Sequence, residues 1–179
     1  MSAVLAEEAS VPRAAARHDT AVVLFGTGKV GGAFLQLLRT PAGENLRLLG
    51  AANSRHQQTQ PAALAERRLR ERLDVGGELR DDATLLRALH ASGAPIRVVI
   101  DATASAELAR RHLEWLAHGC HVVTANKALI GGGLDGWRAL QAACAQGVRY
   151  GDSATVGAGL PAISTLRRDR KSTRLNSSH

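Results

Sequence analysis

The chain has 179 residues, enough for one domain with a real core but short for two. Its hydrophobic fraction of 45% is that of an ordinary globular protein, and no apolar run is long enough to span a bilayer. The formal charge of +7 invites a nucleic-acid reading, yet Arg167, Arg168, Arg170, Lys171 and Arg174 against the one acid Asp169 put +4 of it in the tail, and 3% aromatics leave no stacking platform for bases.

Residues 1–20 have no apolar signal-peptide core, and Glu7 and Glu8 argue against a transit peptide, so this stretch reads as a disordered leader on a cytoplasmic protein. Ala21 to Phe25 then reads as an apolar strand, followed by a glycine turn and an apolar-faced helix to Leu38. The turn is G-x-G-x-x-G, and each glycine has a separate task. Gly26 permits the tight turn, Gly28 lets backbone N–H groups approach a pyrophosphate, and Gly31 lets helix and strand pack closely. The helix starts at the phosphate, where its free N–H groups and dipole favour an anion. A glycine-rich turn joining two packed elements would carry the same three glycines. The flanking strand and helix favour a dinucleotide site.

Thr40-Pro-Ala-Gly43 breaks the pattern, and Leu46 to Ala52 predicts a buried second strand ending at Asn53-Ser54-Arg55. An NAD-binding domain commonly carries an acid here, about twenty residues past the turn, for the ribose 2′-hydroxyl. No acid is present. Arg55 offers a cation to a 2′-phosphate instead, which favours NADP, although a solvated arginine after a strand reads the same way. Residues 57–95 are the least informative. Ala62 to Leu73 looks like a charged outer helix, and Asp81 or Asp82 can cap a second helix through Leu89, closed by Ser92-Gly93.

Arg97 to Asp101 predicts a strand fully apolar at Val98-Val99-Ile100, as parallel sheets require. A helix from Glu107 to His118 follows, then a strand His121–Thr124, a helix from about Leu134 to Gln146, and a last strand beginning at Val148. Strand and helix alternate with short connections, so the expected fold is α/β: a Rossmann-like, doubly wound parallel sheet. Ligands bind beyond the carboxyl ends of such strands. Those ends are the glycine turn, Asn53-Ser54-Arg55, Thr103-Ala104-Ser105, Thr124-Ala125-Asn126-Lys127 and Ala154-Thr155-Val156-Gly157-Ala158-Gly159. All five are small, polar or glycine-rich, which points to one continuous crevice. Lys127 offers a cation to a carboxylate or carbonyl oxygen, or hydrogen bonds to a ribose; a solvent-exposed lysine would look alike.

Cys120 and Cys144 have neither metal-like nor redox-like spacing, and no disulfide is expected. His118-Gly119-Cys120-His121 superficially suggests a metal cluster. Gly119 ends a helix and the strand begins at once, which sends these side chains in unlike directions, so no metal is expected there.

In these segments the chain resembles homoserine dehydrogenase. The resemblance rests on Gly26-Thr27-Gly28-Lys29-Val30-Gly31, Asp101-Ala-Thr-Ala-Ser105, His121-Val-Val-Thr-Ala-Asn-Lys127 and Ala154-Thr-Val-Gly-Ala-Gly-Leu-Pro-Ala-Ile-Ser164, and it covers about Ala21 to Arg167. It implies an NAD(P)-dependent oxidoreductase interconverting L-homoserine and L-aspartate 4-semialdehyde, on the route to threonine and methionine. It places Gly28, Lys29 and Val30 on the cofactor phosphates, Thr103 by the nicotinamide, and Lys127 between cofactor and substrate. With the other strand-end residues, the expected cofactor-binding set is Gly26, Thr27, Gly28, Lys29, Val30, Gly31, Arg55, Thr103, Ala104, Ser105 and Lys127, Lys127 also assisting catalysis. The backbone carbonyls of Val156, Ala158 and Leu160 match a monovalent-cation site, but the glutamate that many members carry just before it is Ser153 here, beside Asp152.

The resemblance also predicts that the substrate domain, with its main catalytic lysine and its dimer sheet, is missing from this chain. Residues 21–167 would be the cofactor domain, and residues 168–179 a polar tail foreign to the family. The expected partners are a small-molecule substrate and, for the intact enzyme, a second copy through the missing domain; neither nucleic acid nor membrane is expected. Two rival readings differ in class. A stand-alone dinucleotide-binding module would have no chemistry of its own. An acylating aldehyde dehydrogenase would need a cysteine nucleophile near the nicotinamide, whereas Cys120 starts a strand and Cys144 lies on a helix.

Overall fold

A computed structural model describes residues 19–59 and 68–153 of the chain. Seven strands, β1 (Thr20–Phe25), β2 (Leu46–Ala52), β3 (His56–Thr59), β4 (Glu78–Leu79), β5 (Ile96–Asp101), β6 (His121–Thr124) and β7 (Tyr150–Gly151), form one sheet in the order β4-β3-β2-β1-β5-β6-β7. From β2 to β7 all neighbours are parallel. The order reverses at β1, whose partners are β2 on one side and β5 on the other. That is the switch point at which an open α/β sheet has its ligand crevice.

Among the described residues the α-helices are α1 (Lys29–Leu37), α2 (Leu69–Val75), α3 (Asp82–Ala91), α4 (Ala106–Arg110), α5 (His112–Ala117) and α6 (Leu134–Ala145). Strand alternation assigns them to two faces. Ala21, Val23 and Phe25 of β1 pack with Leu85 and Leu89 of α3, Leu108 of α4, Trp115 of α5 and Leu140 of α6. Leu24 of β1 and Ala51 of β2 turn the other way, onto Leu35 of α1 and Leu69 and Leu73 of α2. Phe25 and Trp115 stack with ring centroids 5.3 Å apart. Among the described residues no helix is long and apolar enough to cross a membrane.

The fold is the expected doubly wound, mostly parallel sheet, with three local departures. First, β3 pairs antiparallel to β2, and β4 antiparallel to β3. The strand His-Gln-Gln-Thr has no apolar alternation to announce it. Asn53 makes the reversal instead, its Oδ1 accepting from Arg55 N at 2.8 Å and His56 N at 2.7 Å. Second, the helix predicted over 107–118 is two pieces meeting at Arg111. Third, the last strand pairs only over Tyr150–Gly151, not from Val148. Of the helix predicted over 62–73, the structure describes Leu69–Val75; its earlier part lies outside the described residues, as do residues 1–18 and the tail 168–179. Asp81 caps α3 by accepting from Ala83 N, and Gly93 and Gly119 take positive φ where helices end.

Candidate functional site

The carboxyl ends of β2, β1, β5 and β6 are laced into one row by backbone hydrogen bonds. Gly26 N donates to Ala52 O (2.8 Å), Ala102 N to Phe25 O (2.8 Å) and Ala125 N to Asp101 O (3.0 Å). Because these strands are parallel, the glycine turn, Arg55, Thr103 and Lys127 all emerge on the same rim of the sheet.

Gly26 and Gly31 do the turning and packing expected of them. Gly26 has φ +92°, and a Cβ there would lie 2.9 Å from Ala102 and from Thr103 Cγ2. At Gly31 a Cβ would lie 1.8 Å from Gly26 O, so α1 sits directly on the turn. At Gly28, nothing stands within 4 Å of where a Cβ would be. Gly28 is the residue before α1, no side chain caps that helix, and no acid lies in its first turn. Its leading N–H groups are therefore open to an anion. Lys29 and Val30 are exposed beside it, whereas Thr27 is buried.

Beyond β2, a cleft of about 830 Å³ is lined by Ser54, Arg55, Arg80, Asp82, Ser105 and Arg111, among others. Two of its three guanidinium groups are already paired, sharing Asp82, with Glu114 also on Arg111 (3.2 Å). Asp82 takes Arg80 through Nε (2.6 Å) and Nη2 (3.1 Å), and Arg111 through Nη1 (2.9 Å). Arg80 also lies over the Phe25 ring, and Arg111 over Trp115. Arg55 is exposed and has no ion pair among the described residues, so it is the cation left for an incoming anion. A second cavity, of about 620 Å³, is walled by β3, α2 and Gly76–Glu78 and includes no residue of the turn or of the loops after β5 and β6.

The ends of β5 and β6 meet on a buried carboxylate that sequence reasoning did not single out. Asp101, fully buried, accepts from Thr103 N (2.9 Å) and Thr103 Oγ1 (2.6 Å) on Oδ1. On Oδ2 it accepts from His112 Nε2 (2.8 Å) and Asn126 Nδ2 (3.0 Å). Burial alone would push its carboxyl up, but the bonds from His112, Thr103 and Asn126 outweigh it and hold the group below the ordinary range. Asn126 Nδ2 also donates to Ser105 O (2.8 Å), and Asn126 Oδ1 accepts from Ala128 N. On its far side His112 Nδ1 meets the Tyr150 hydroxyl at 2.9 Å. Burial raises the Tyr150 phenol far above its usual range, with the charges of Asp152 and Asp101 adding to the effect. Tyr150 therefore keeps its proton, and because the Asp101 carboxylate only accepts, His112 Nε2 carries a hydrogen toward it.

The network fixes the residues expected at the site. Thr103 is half-buried beside the glycine turn. Ser105 spends its hydroxyl capping α4 (Leu108 N, 3.2 Å), and Ala104 is exposed. Lys127 follows the anchored Asn126; its side chain is exposed and its carbonyl accepts from Gly131 N. Val156, Ala158 and Leu160 lie outside the described residues, while Asp152 before them is buried. His112 had one legible signal: a polar residue spaced i−4, i+3 and i+4 from Leu108, Trp115 and Leu116 stands on a core face and needs a buried partner.

His118, Cys120 and His121 go to separate partners. His118 Nδ1 bonds Glu114 O, Cys120 Sγ lies 3.8 Å from His90 Nε2, and His121 Nδ1 accepts from Arg149 N. Among the described residues no three His, Cys, Asp or Glu side chains gather as a metal site. Burial pushes the Cys120 thiol up despite the pull of Arg97, the opposite of an activated nucleophile.

Residues 26–150 match the family model of the homoserine dehydrogenase NAD-binding domain. The chain is 34% identical over 160 residues to the bifunctional aspartokinase/homoserine dehydrogenase 2 of Arabidopsis thaliana, covering 84% of this chain and 18% of that protein. It is 36% identical over 156 residues to the homoserine dehydrogenase of Emericella nidulans, covering 80% and 41%. Among solved structures, the homoserine dehydrogenase of Thermoplasma acidophilum superposes with a TM-score of 0.63 at 19% identity, covering 83% of this chain and 47% of that one. A hyperthermophilic archaeal homoserine dehydrogenase in complex with NADPH gives 0.60 at 20% identity, covering 82% and 47%. The chain thus spans less than half of each of these relatives.

Proposed function

The chain belongs to the homoserine dehydrogenase family as its NAD-binding domain, and from that premise we propose that it holds NADP(H) for the interconversion of L-homoserine and L-aspartate 4-semialdehyde. The observation that carries this reading is the row of strand ends at the switch point: an uncapped α1, open space in front of Gly28, and Thr103 and Lys127 farther along the same rim. Gly28, Lys29 and Val30 cradle the pyrophosphate, with Gly26, Thr27 and Gly31 shaping the turn. Arg55 meets the 2′-phosphate, and Thr103, Ala104 and Ser105 border the nicotinamide. Lys127 stands between cofactor and substrate, its positive charge steadying the oxygen that changes charge. NADP(H), when bound, supplies the hydride chemistry. The complete enzyme is a cytoplasmic homodimer serving threonine and methionine synthesis, and the carbonyls of Val156, Ala158 and Leu160 take a monovalent cation.

Titrating the 179-residue chain with NADPH and NADH, beside an Arg55→Ala variant, tests this. The substitution is expected to weaken NADPH about tenfold, the scale of one charge-assisted phosphate contact, and NADH by less than about twofold. Equal losses for both cofactors would remove the role of Arg55. A chain that binds neither would overturn the cofactor reading.

A further inference from the structure

Resting on that cofactor reading, we infer that Asp101 is the positioning residue of the nicotinamide end: it accepts the Thr103 hydroxyl hydrogen bond, leaving an oxygen that selects a carboxamide N–H over a carboxylate. With the pyrophosphate at α1 and the adenosine half beyond β2, the other half of a dinucleotide runs over the ends of β5 and β6, where Thr103 stands. Asp101 is an ionised, fully buried carboxylate with only lone pairs to offer, so each of its four neighbours must donate to it. Thr103 Oγ1 thus spends its one proton on Asp101 Oδ1. It also spends one lone pair on Ser105 N, at 3.2 Å. What remains on the hydroxyl of this half-buried residue is a single lone pair. A ligand atom that meets it must bring a hydrogen.

The nicotinamide carboxamide has an NH2 to give, and its carboxylate analogue has only acceptors. Discrimination between them is a property of hydrogen-bond polarity at Thr103, which a merely structural role for Asp101 would not set. NADP⁺ and nicotinic acid adenine dinucleotide phosphate, titrated into the full chain by calorimetry, are expected to differ by about tenfold or more in favour of the carboxamide. Thr103→Val keeps the shape and the backbone donor but removes the oxygen, and is expected to bring the two within about twofold by weakening NADP⁺. Asp101→Ala frees the hydroxyl to rotate and donate, with the same collapse of the ratio. Asp101→Asn keeps the discrimination, because the fixed Thr103 N–H holds the amide oxygen where the carboxylate oxygen was. Should Asp101→Ala fail to fold, or Asp101→Asn, whose NH2 would face the His112 and Asn126 donors, Thr103→Val still decides the matter. Equal affinities in the unaltered chain, or a ratio that survives Thr103→Val, would overturn this inference and leave the cofactor reading standing. Binding of neither compound would remove both.

Discussion

Gly31→Ala is expected to cost the domain about 3 kcal/mol and most of its cofactor affinity together. The added methyl would lie 1.8 Å from Gly26 O, a backbone atom that no side-chain rotation can move. Either α1 lifts off the turn, or the turn leaves Ala102 and Thr103, against which Gly26 is already packed. In a domain of this size the loss corresponds to a fall in Tm of about 10 °C. Gly28→Ala makes the contrasting variant. Gly28 has φ −66°, within reach of any residue, and its methyl would meet nothing. Its stability should stay within about 0.5 kcal/mol of the unaltered chain. Its NADPH affinity should fall about tenfold if the proposed function is right, because the methyl would occupy the space proposed for the pyrophosphate. Thermal unfolding and NADPH titration of both variants check the pair. A Gly28→Ala chain that binds NADPH as before would take the pyrophosphate away from this turn.

Asp101→Ala is expected to cost about 3–5 kcal/mol at neutral pH, as when one partner of a buried charged pair is removed. The substitution strips the acceptor from His112 Nε2, Asn126 Nδ2 and both Thr103 donors, and of these His112 and Asn126 are buried from water. The carboxylate also makes this contribution depend on pH. Its folded-state affinity for protons is lowered, so the unfolded chain binds the proton more tightly. The stabilisation is therefore complete above the ordinary carboxylate value of about 4 and is lost as pH falls through the lower folded value. Around the network, His112, Tyr150 and Asp152 are the other ionisable groups. Urea unfolding at pH 7 and pH 3 should show the gap between the unaltered chain and Asp101→Ala narrowing in acid. A gap of constant width would mean that the charge contributes nothing.

The parallel core of the sheet was legible because hydrophobic runs and glycines are local signals. Leu46–Ala52 and His121–Thr124 have the predicted bounds, since an apolar run between turn residues leaves a buried strand little freedom to slide. The outer hairpin was not legible. Its β3 is polar, and Gln57 is buried only because its Oε1 accepts from Asp81 N, a partner 24 positions away. The rim residues of the site could be read from where parallel strands must end. Their support could not: Asp101 reads as the last residue of a strand, Asn126 as part of a turn, and His112 as one position of a helix. Their meeting is a product of the sheet's order, which brings together residues 101, 112 and 126.

The break between α4 and α5 has a consequence for the groove as a whole. Arg111 and His112 are consecutive, yet the first reaches Asp82 in the cleft beyond β2, and the second reaches Asp101 behind Thr103. Two adjacent backbone positions thus anchor both the cleft beyond β2 and the carboxylate behind Thr103. A change of backbone at this joint is expected to disturb both anchorages at once.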